Sequence, residues 1–246
     1  MSVSCLVTKK TIERLVLNNG ITLILIENPV TDVIAGRIFL KNGGGRWEKR
    51  SQAGIFHLLA TVMTKGTESF SSVEIAEKVE SLGASLGTDS ATDYFLVTLK
   101  TVTNDFPEIL SLAAEIMRSP SFPEEEVELE KHLTLQNLLS QKEQPFNVAF
   151  KQLREIMYGE HPLGVSILGT EESIPNLSYQ DLQEYHQLYF RPDNLVISLA
   201  GRLTKETAIN MVEEVFGDWK IPSTPVPNLD ISLPSNRPHQ QRIRQN

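Results

Sequence analysis

His57 is the residue whose setting first invites chemistry. It lies in the segment Gly54-Ile55-Phe56-His57-Leu58-Leu59-Ala60-Thr61-Val62-Met63-Thr64-Lys65-Gly66-Thr67. A helical imidazole can ligate zinc when a second ligand stands at i+4 on the same face and a carboxylate between them reaches the metal-bound water. Here i+3 is Ala60 and i+4 is Thr61. A single imidazole does not hold zinc against water, so His57 reads locally as a buried polar residue on a packed helix. The other histidines suggest less. His132 shares a helix face with Glu128, near Glu130, which describes a solvated surface. His161 belongs to His161-Pro162-Leu163-Gly164, a turn explained by its Pro and Gly, and His186 and His239 sit in polar surroundings. Glu124-Glu125-Glu126 suits a first helical turn, where negative charge opposes the helix dipole. Gly43-Gly44-Gly45 lacks the Lys-Ser/Thr that a phosphate loop requires.

The elements that must position these residues follow from pattern. Apolar runs at 14–17 and 21–26 flank Asn18-Asn19-Gly20, the signature of a hairpin. Residues 33–41 predict a third strand. Residues 53–64 predict a helix that is apolar nearly all round, hence buried. Ser71-Ser72-Val73-Glu74 is a capping box opening a second helix, with Gly83 able to end it. Residues 93–101 are β-branched and aromatic and predict a strand; at a sheet edge, that strand could accept a peptide. Helices are predicted from Asp105 to Ser119-Pro120, over 124–141 and 145–158, over 178–189, and over 204–216, with a buried strand at 195–200. The order favours an α+β fold: a largely antiparallel sheet covered by helices, without the βαβ rhythm of a dinucleotide-binding fold.

Composition bounds the rest. The 246 residues carry a net charge of −8 and 40% hydrophobic content, enough for a substantial core. The charge disfavours nucleic acid as a partner. Cys5 is the only cysteine, which precludes an internal disulfide and points to a reducing compartment, cytoplasmic or other, with an organelle also compatible. Residues 1–10 lack the apolar stretch of a secretory signal, and no run is long enough to span a membrane. From 221 to 246 the chain is rich in proline and reads as a linker or tail, leaving 13–220 as the domain.

The segment around His57 resembles the signature of the pitrilysin/insulinase-type zinc peptidases, the family that includes mitochondrial processing peptidase. In that family a helix bearing His-x-x-Glu-His, the inverzincin order, leads into a Lys-Gly-Thr turn. Further matches run in order along most of the chain: Glu80-Ser81-Leu82-Gly83-Ala84, Ser119-Pro120-Ser121-Phe122, Tyr158 with His161-Pro162-Leu163-Gly164, Gly169-Thr170-Glu171 and Arg191-Pro192-Asp193-Asn194. The resemblance implies a processing-peptidase-like N-terminal half-domain. It also implies that His57 matches the first zinc ligand, Ala60 the general base and Thr61 the second ligand. The third ligand, a Glu on a later helix, falls at Asn137 by two counts, forward from Thr61 and back from Tyr158 with Leu163-Gly164. The Asn-Ala pair that holds substrate backbone in active members is matched by Gly87 and Thr88, a candidate peptide-binding edge. The family's C-terminal half adds an Arg and a Tyr at fixed spacing, and no Arg here has a Tyr at that spacing; that half is expected beyond residue 246.

These readings lead to a non-catalytic member that needs no cofactor: the N-terminal half of a subunit that helps an active partner enclose a peptide or protein substrate. The expected partner is a homologous peptidase subunit with an intact zinc motif, or a second copy through self-association. The alternatives are an active zinc metallopeptidase with a relocated site, and a structural core subunit of a larger complex.

Overall fold

A computed structural model describes residues 12–159 and 161–228. Strands β1 (Ile12–Val16) and β2 (Thr22–Glu27) form the expected hairpin, pairing Leu15 with Leu23. Gly20 takes the positive φ (86°) that the turn requires. β3 (Ile34–Leu40) alternates buried and open positions, with Ile34, Ile38 and Leu40 inward. Helix α1 (Ile55–Val62) follows, continued by a 3-10 turn at Met63–Lys65.

Helix α2 (Ser72–Ser81) begins at the predicted capping box: the Ser71 N–H donates to Glu74 Oε2 at 2.8 Å and the Glu74 N–H to Ser71 Oγ at 3.3 Å. Next come β4 (Ser85–Ser90), β5 (Phe95–Thr101), α3 (Phe106–Arg118), α4 (Glu124–Lys142) and α5 (Pro145–Tyr158). The chain continues through a short α6 (Ser173–Asn176), α7 (Tyr179–Tyr189), β6 (Leu195–Gly201) and α8 (Lys205–Phe216).

The six strands lie in the order β1-β2-β6-β3-β5-β4. Every neighbouring pair is antiparallel except β2 and β6, which run parallel with Leu23 opposite Ile197. One face of the sheet, with Leu23, Leu25, Ile38, Val97, Leu99, Ile197 and Leu199, is buried with the apolar sides of α1, α3, α7 and α8. This two-layer α+β arrangement fulfils the largely antiparallel expectation.

The structure differs from expectation at the sheet border, and two further segments show packing that the sequence pattern did not specify. The strand at 93–101 is not an edge: β5 lies between β3 and β4, and β4 forms the sheet border. The β4 sequence SLGTDS has little strand propensity of its own and is extended because β5 supplies its hydrogen-bond ladder. The proline-rich stretch from 221 is not uniformly a free tail: Val226 packs against the core, and the carbonyls of Pro222, Thr224 and Pro227 accept hydrogen bonds from the body. The remainder of that stretch, from 229, lies outside the described residues, as do Cys5 and His239. Finally, α5 has no buried residue, and Phe146, Phe150, Leu153 and Met157 on its apolar side stay at least half exposed.

Candidate functional site

The entrance to α1 shapes the site. Gly54 caps the helix at φ 92°. A Cβ there would stand 2.8 Å from the Leu168 carbonyl oxygen and 2.7 Å from Ile174 Cδ1. A Gly54→Ala variant combines a left-handed alanine with backbone overlap, so a stability loss of about 2–3 kcal/mol is expected, read by urea denaturation.

Glu48 completes this end of the helix. It is buried, and its carboxylate accepts the N–H groups of Gly54 at 2.8 Å and Phe56 at 2.9 Å. A carboxylate in this position satisfies two otherwise orphan donors and opposes the helix dipole. Burial nevertheless pushes its pKa up to about 8, with the two N–H bonds pulling the other way. Nothing in the sequence around Glu48 points to this: between Trp47 and Lys49-Arg50 it reads as part of an exposed turn. Phe56, fully buried, wedges α1 against the rings of Phe95, Tyr185 and Tyr189 at centroid distances of 6.3, 5.8 and 5.2 Å.

On the same helix His57 is half-buried. Burial lowers its pKa, and the charges of Glu130 and Asp89 pull it back up. Ala60 is buried, and its carbonyl accepts the Thr88 hydroxyl, which ties β4 to α1. The Thr61 hydroxyl donates to the Leu58 carbonyl at 3.0 Å, a bond within its own helix.

The pairing of α4 with α1 is marked by Lys65, whose Nζ lies 3.9 Å from Glu126 and 3.2 Å from Glu130. The buried α4 residues Val127, Lys131 and Thr134 continue the same side. Asn137 is exposed and accepts a hydrogen bond from Gln141 Nε2 at 3.2 Å. A groove of about 1070 Å³ begins beside Leu138 and Gln141 and continues past Val148 and Phe150 on α5 to Gly169.

This donor set does not fit a zinc ion. It offers one imidazole, a hydroxyl already bonded to its own helix, and a carboxamide, where zinc takes at least three imidazole, thiolate or carboxylate ligands. Glu130 is engaged by Lys65. Among the described residues no three His, Cys, Asp or Glu side chains are grouped so that they could hold a metal. The other described histidines have structural contacts. His186 is buried, with a ring nitrogen 2.9 Å from the Met117 carbonyl, and burial lowers its pKa to about 4. His161 Nδ1 accepts the Leu163 N–H within its turn, and His132 contacts Gln136 on the surface.

Gly87 and Thr88 sit in β4, at the border of the sheet and beside α1. A Cβ on Gly87 would meet only the Thr98 hydroxyl, at 3.8 Å, so there is space on that face of the strand, and β4 pairs on one side only, with β5. Among the described residues no helix is long and apolar enough to cross a membrane.

Comparison with known proteins agrees with this fold. Residues 22–171 match the family model for insulinase (peptidase family M16), and residues 176–246 match that for the peptidase M16 inactive domain. An uncharacterized zinc protease of Bacillus subtilis, YmxG, is 29% identical over 209 residues, which are 85% of this chain and 51% of that protein. A probable mitochondrial-processing peptidase subunit beta of Schizosaccharomyces pombe is 27% identical over 205 residues, 83% of this chain and 45% of that one. The crystal structure of a protease from Helicobacter pylori superposes with a TM-score of 0.85 at 22% identity, covering 92% of this chain and 55% of that one. The chain thus spans about half the length of the curated relatives it matches. With its sheet, its His57 helix and its family-model match over 22–171 in agreement, the chain belongs to the insulinase family, peptidase family M16.

Proposed function

We propose that this chain is the N-terminal half of a non-catalytic subunit of a processing-type zinc metallopeptidase, one that helps an active partner enclose peptide. The supporting observation is a juxtaposition. The resemblance assigns the general-base and second-ligand positions to Ala60 and Thr61 on α1 and the third-ligand position to Asn137 on α4, and the border strand β4, with Gly87 and Thr88, lies against α1. An open strand edge binds extended peptide through main-chain hydrogen bonds, which need no metal. The partner on this reading is a homologous subunit with intact His-x-x-Glu-His, which supplies the zinc and the base.

Elemental analysis and a peptidase assay test the non-catalytic part. Purified wild-type protein is expected to carry no more zinc than His57→Ala and to hydrolyse unstructured peptides no faster. Stoichiometric zinc that disappears on that substitution would overturn the reading in favour of a relocated metal site. A structural role in a larger complex is the second reading. It is favoured by the exposed Phe146, Phe150, Leu153 and Met157 on α5, a stripe that a stable neighbour would cover. It differs in outcome: peptidase activity of the assembled complex would not depend on this chain's β4 edge.

A further inference from the structure

The turn after α7 carries a side chain that none of the preceding roles uses. Arg191 is only 2% exposed. Its guanidinium makes a two-point contact with Asp193, Nε to Oδ1 at 2.6 Å and Nη2 to Oδ2 at 2.9 Å. The remaining bonds go to chain some thirty residues on: Nη1 donates to the Thr224 carbonyl at 2.6 Å and Nη2 to the Pro222 carbonyl at 3.2 Å. Asn42, at the end of β3, donates through Nδ2 to the Pro227 carbonyl at 3.0 Å. The ledge is itself braced. The Asn42 N–H donates to Asn194 Oδ1 at 2.9 Å, and Asn194 Nδ2 donates to the Asn42 carbonyl at 3.1 Å and the Tyr189 carbonyl at 2.8 Å.

The chemistry of the two sides is matched. A proline has no N–H, so a segment with Pro222, Pro225 and Pro227 offers its surroundings mainly carbonyl acceptors. The ledge answers with donors, a guanidinium and a carboxamide NH2. The chain bends at 223–224, and the carbonyls of residues 222 and 224 both reach one guanidinium. Proline also restricts the free segment, which lowers the entropy lost on docking. Val226 adds an apolar contact with the core.

We propose that Arg191 and Asn42 form a latch that holds residues 222–227 as a strap against the end of β3 and so restrains this segment from opening toward solvent. On this view the segment is a seated strap rather than a flexible tether. The proposal is independent of the peptidase reading above.

Trypsin tests it, because Lys220 is exposed and the Lys220–Ile221 bond lies at the strap's root. Cleavage there is followed by intact mass on folded protein, with cooperative melting checked for each variant. Asn42→Ala removes only the side-chain bond to Pro227, and cutting at Lys220 is expected to accelerate about fivefold, the size of one lost hydrogen bond. Arg191→Gln, which forfeits the fork, is expected to accelerate it more than tenfold. Arg191→Lys is expected to restore little, since an ammonium cannot span Asp193 and two carbonyls in one plane. Equal cutting rates in wild type and folded Asn42→Ala would overturn the latch, whatever becomes of the Arg191 variants.

Discussion

A Thr61→His, Asn137→Glu variant is expected to acquire about one zinc per chain where the wild type carries none above background, because three ligands at these positions complete a tetrahedral site with one place left for water. The expectation rests on geometry more than on composition. The Lys65 contacts with Glu126 and Glu130 set α4 beside α1, and the expectation requires that this pairing bring position 137 level with 57 and 61. Both positions are at least partly open to solvent, so neither change forces a large side chain into the core. Adding Ala60→Glu is a different matter. Ala60 is 5% exposed, and a carboxylate there costs about 1–3 kcal/mol in overpacking and desolvation. The triple variant should therefore melt lower than wild type without metal and regain stability as zinc is added, since a ligand bound only by the native state stabilises it by mass action. Elemental analysis and zinc-dependent melting read both effects. If the double and triple variants fold yet neither gains zinc, the register of α4 on α1 is wrong and Asn137 is not the third position.

The second large effect concerns Glu48. Its folded pKa is raised from 4.5 to about 8, so the native state holds a proton that the unfolded chain has released. The stability this provides is full below pH about 4.5 and is lost as pH rises to about 8. His186 acts with the opposite sign. Its pKa is lowered from 6.5 to about 4, so stability is full above 6.5 and falls as pH drops toward 4. Between about 4.5 and 6.5 the two slopes nearly cancel, and between 6.5 and 8 Glu48 acts alone. Over that upper window wild type is expected to lose about 2 kcal/mol, at about 1.4 kcal/mol per pH unit. Glu48→Gln cannot titrate, and its stability should be flat over the same range. It should also be less stable than wild type at pH 6, because an amide presents one acceptor to the two N–H donors of Gly54 and Phe56. Urea denaturation at pH 6, 7 and 8 decides it: a wild-type slope as flat as that of Glu48→Gln would mean that Glu48 is ionised in the native protein.

Much of the fold is legible in local sequence because its causes are local. The Asn18-Asn19-Gly20 hairpin and the Ser71 capping box are readable because each depends on the conformational or hydrogen-bonding habits of a few adjacent residues. The strands at 34–40, 95–101 and 195–201 are readable because alternating or continuous apolar runs must be buried. That Ala60, Thr61 and Asn137 are poor zinc donors is likewise plain in sequence, since ligand chemistry depends on side-chain type. β4 is not, because SLGTDS has no strong strand preference and becomes a strand only against β5.

What the amino-acid order determined by itself is therefore the set of elements and the two-layer class, consequences of periodicity and capping, together with the side-chain types Ala60, Thr61 and Asn137 on which the non-catalytic proposal rests. Four matters were decided by tertiary structure: which strand borders the sheet, how α4 meets α1, the burial of Glu48 under the first turn of α1, and the seating of 222–227 on Arg191 and Asn42. Each joins residues on different elements, or on opposite sides of a turn. Charge, polarity and proline content near such residues say only that they can make hydrogen bonds. Which partner satisfies them, and whether water is displaced in doing so, is settled when the sheet and helices close over one core.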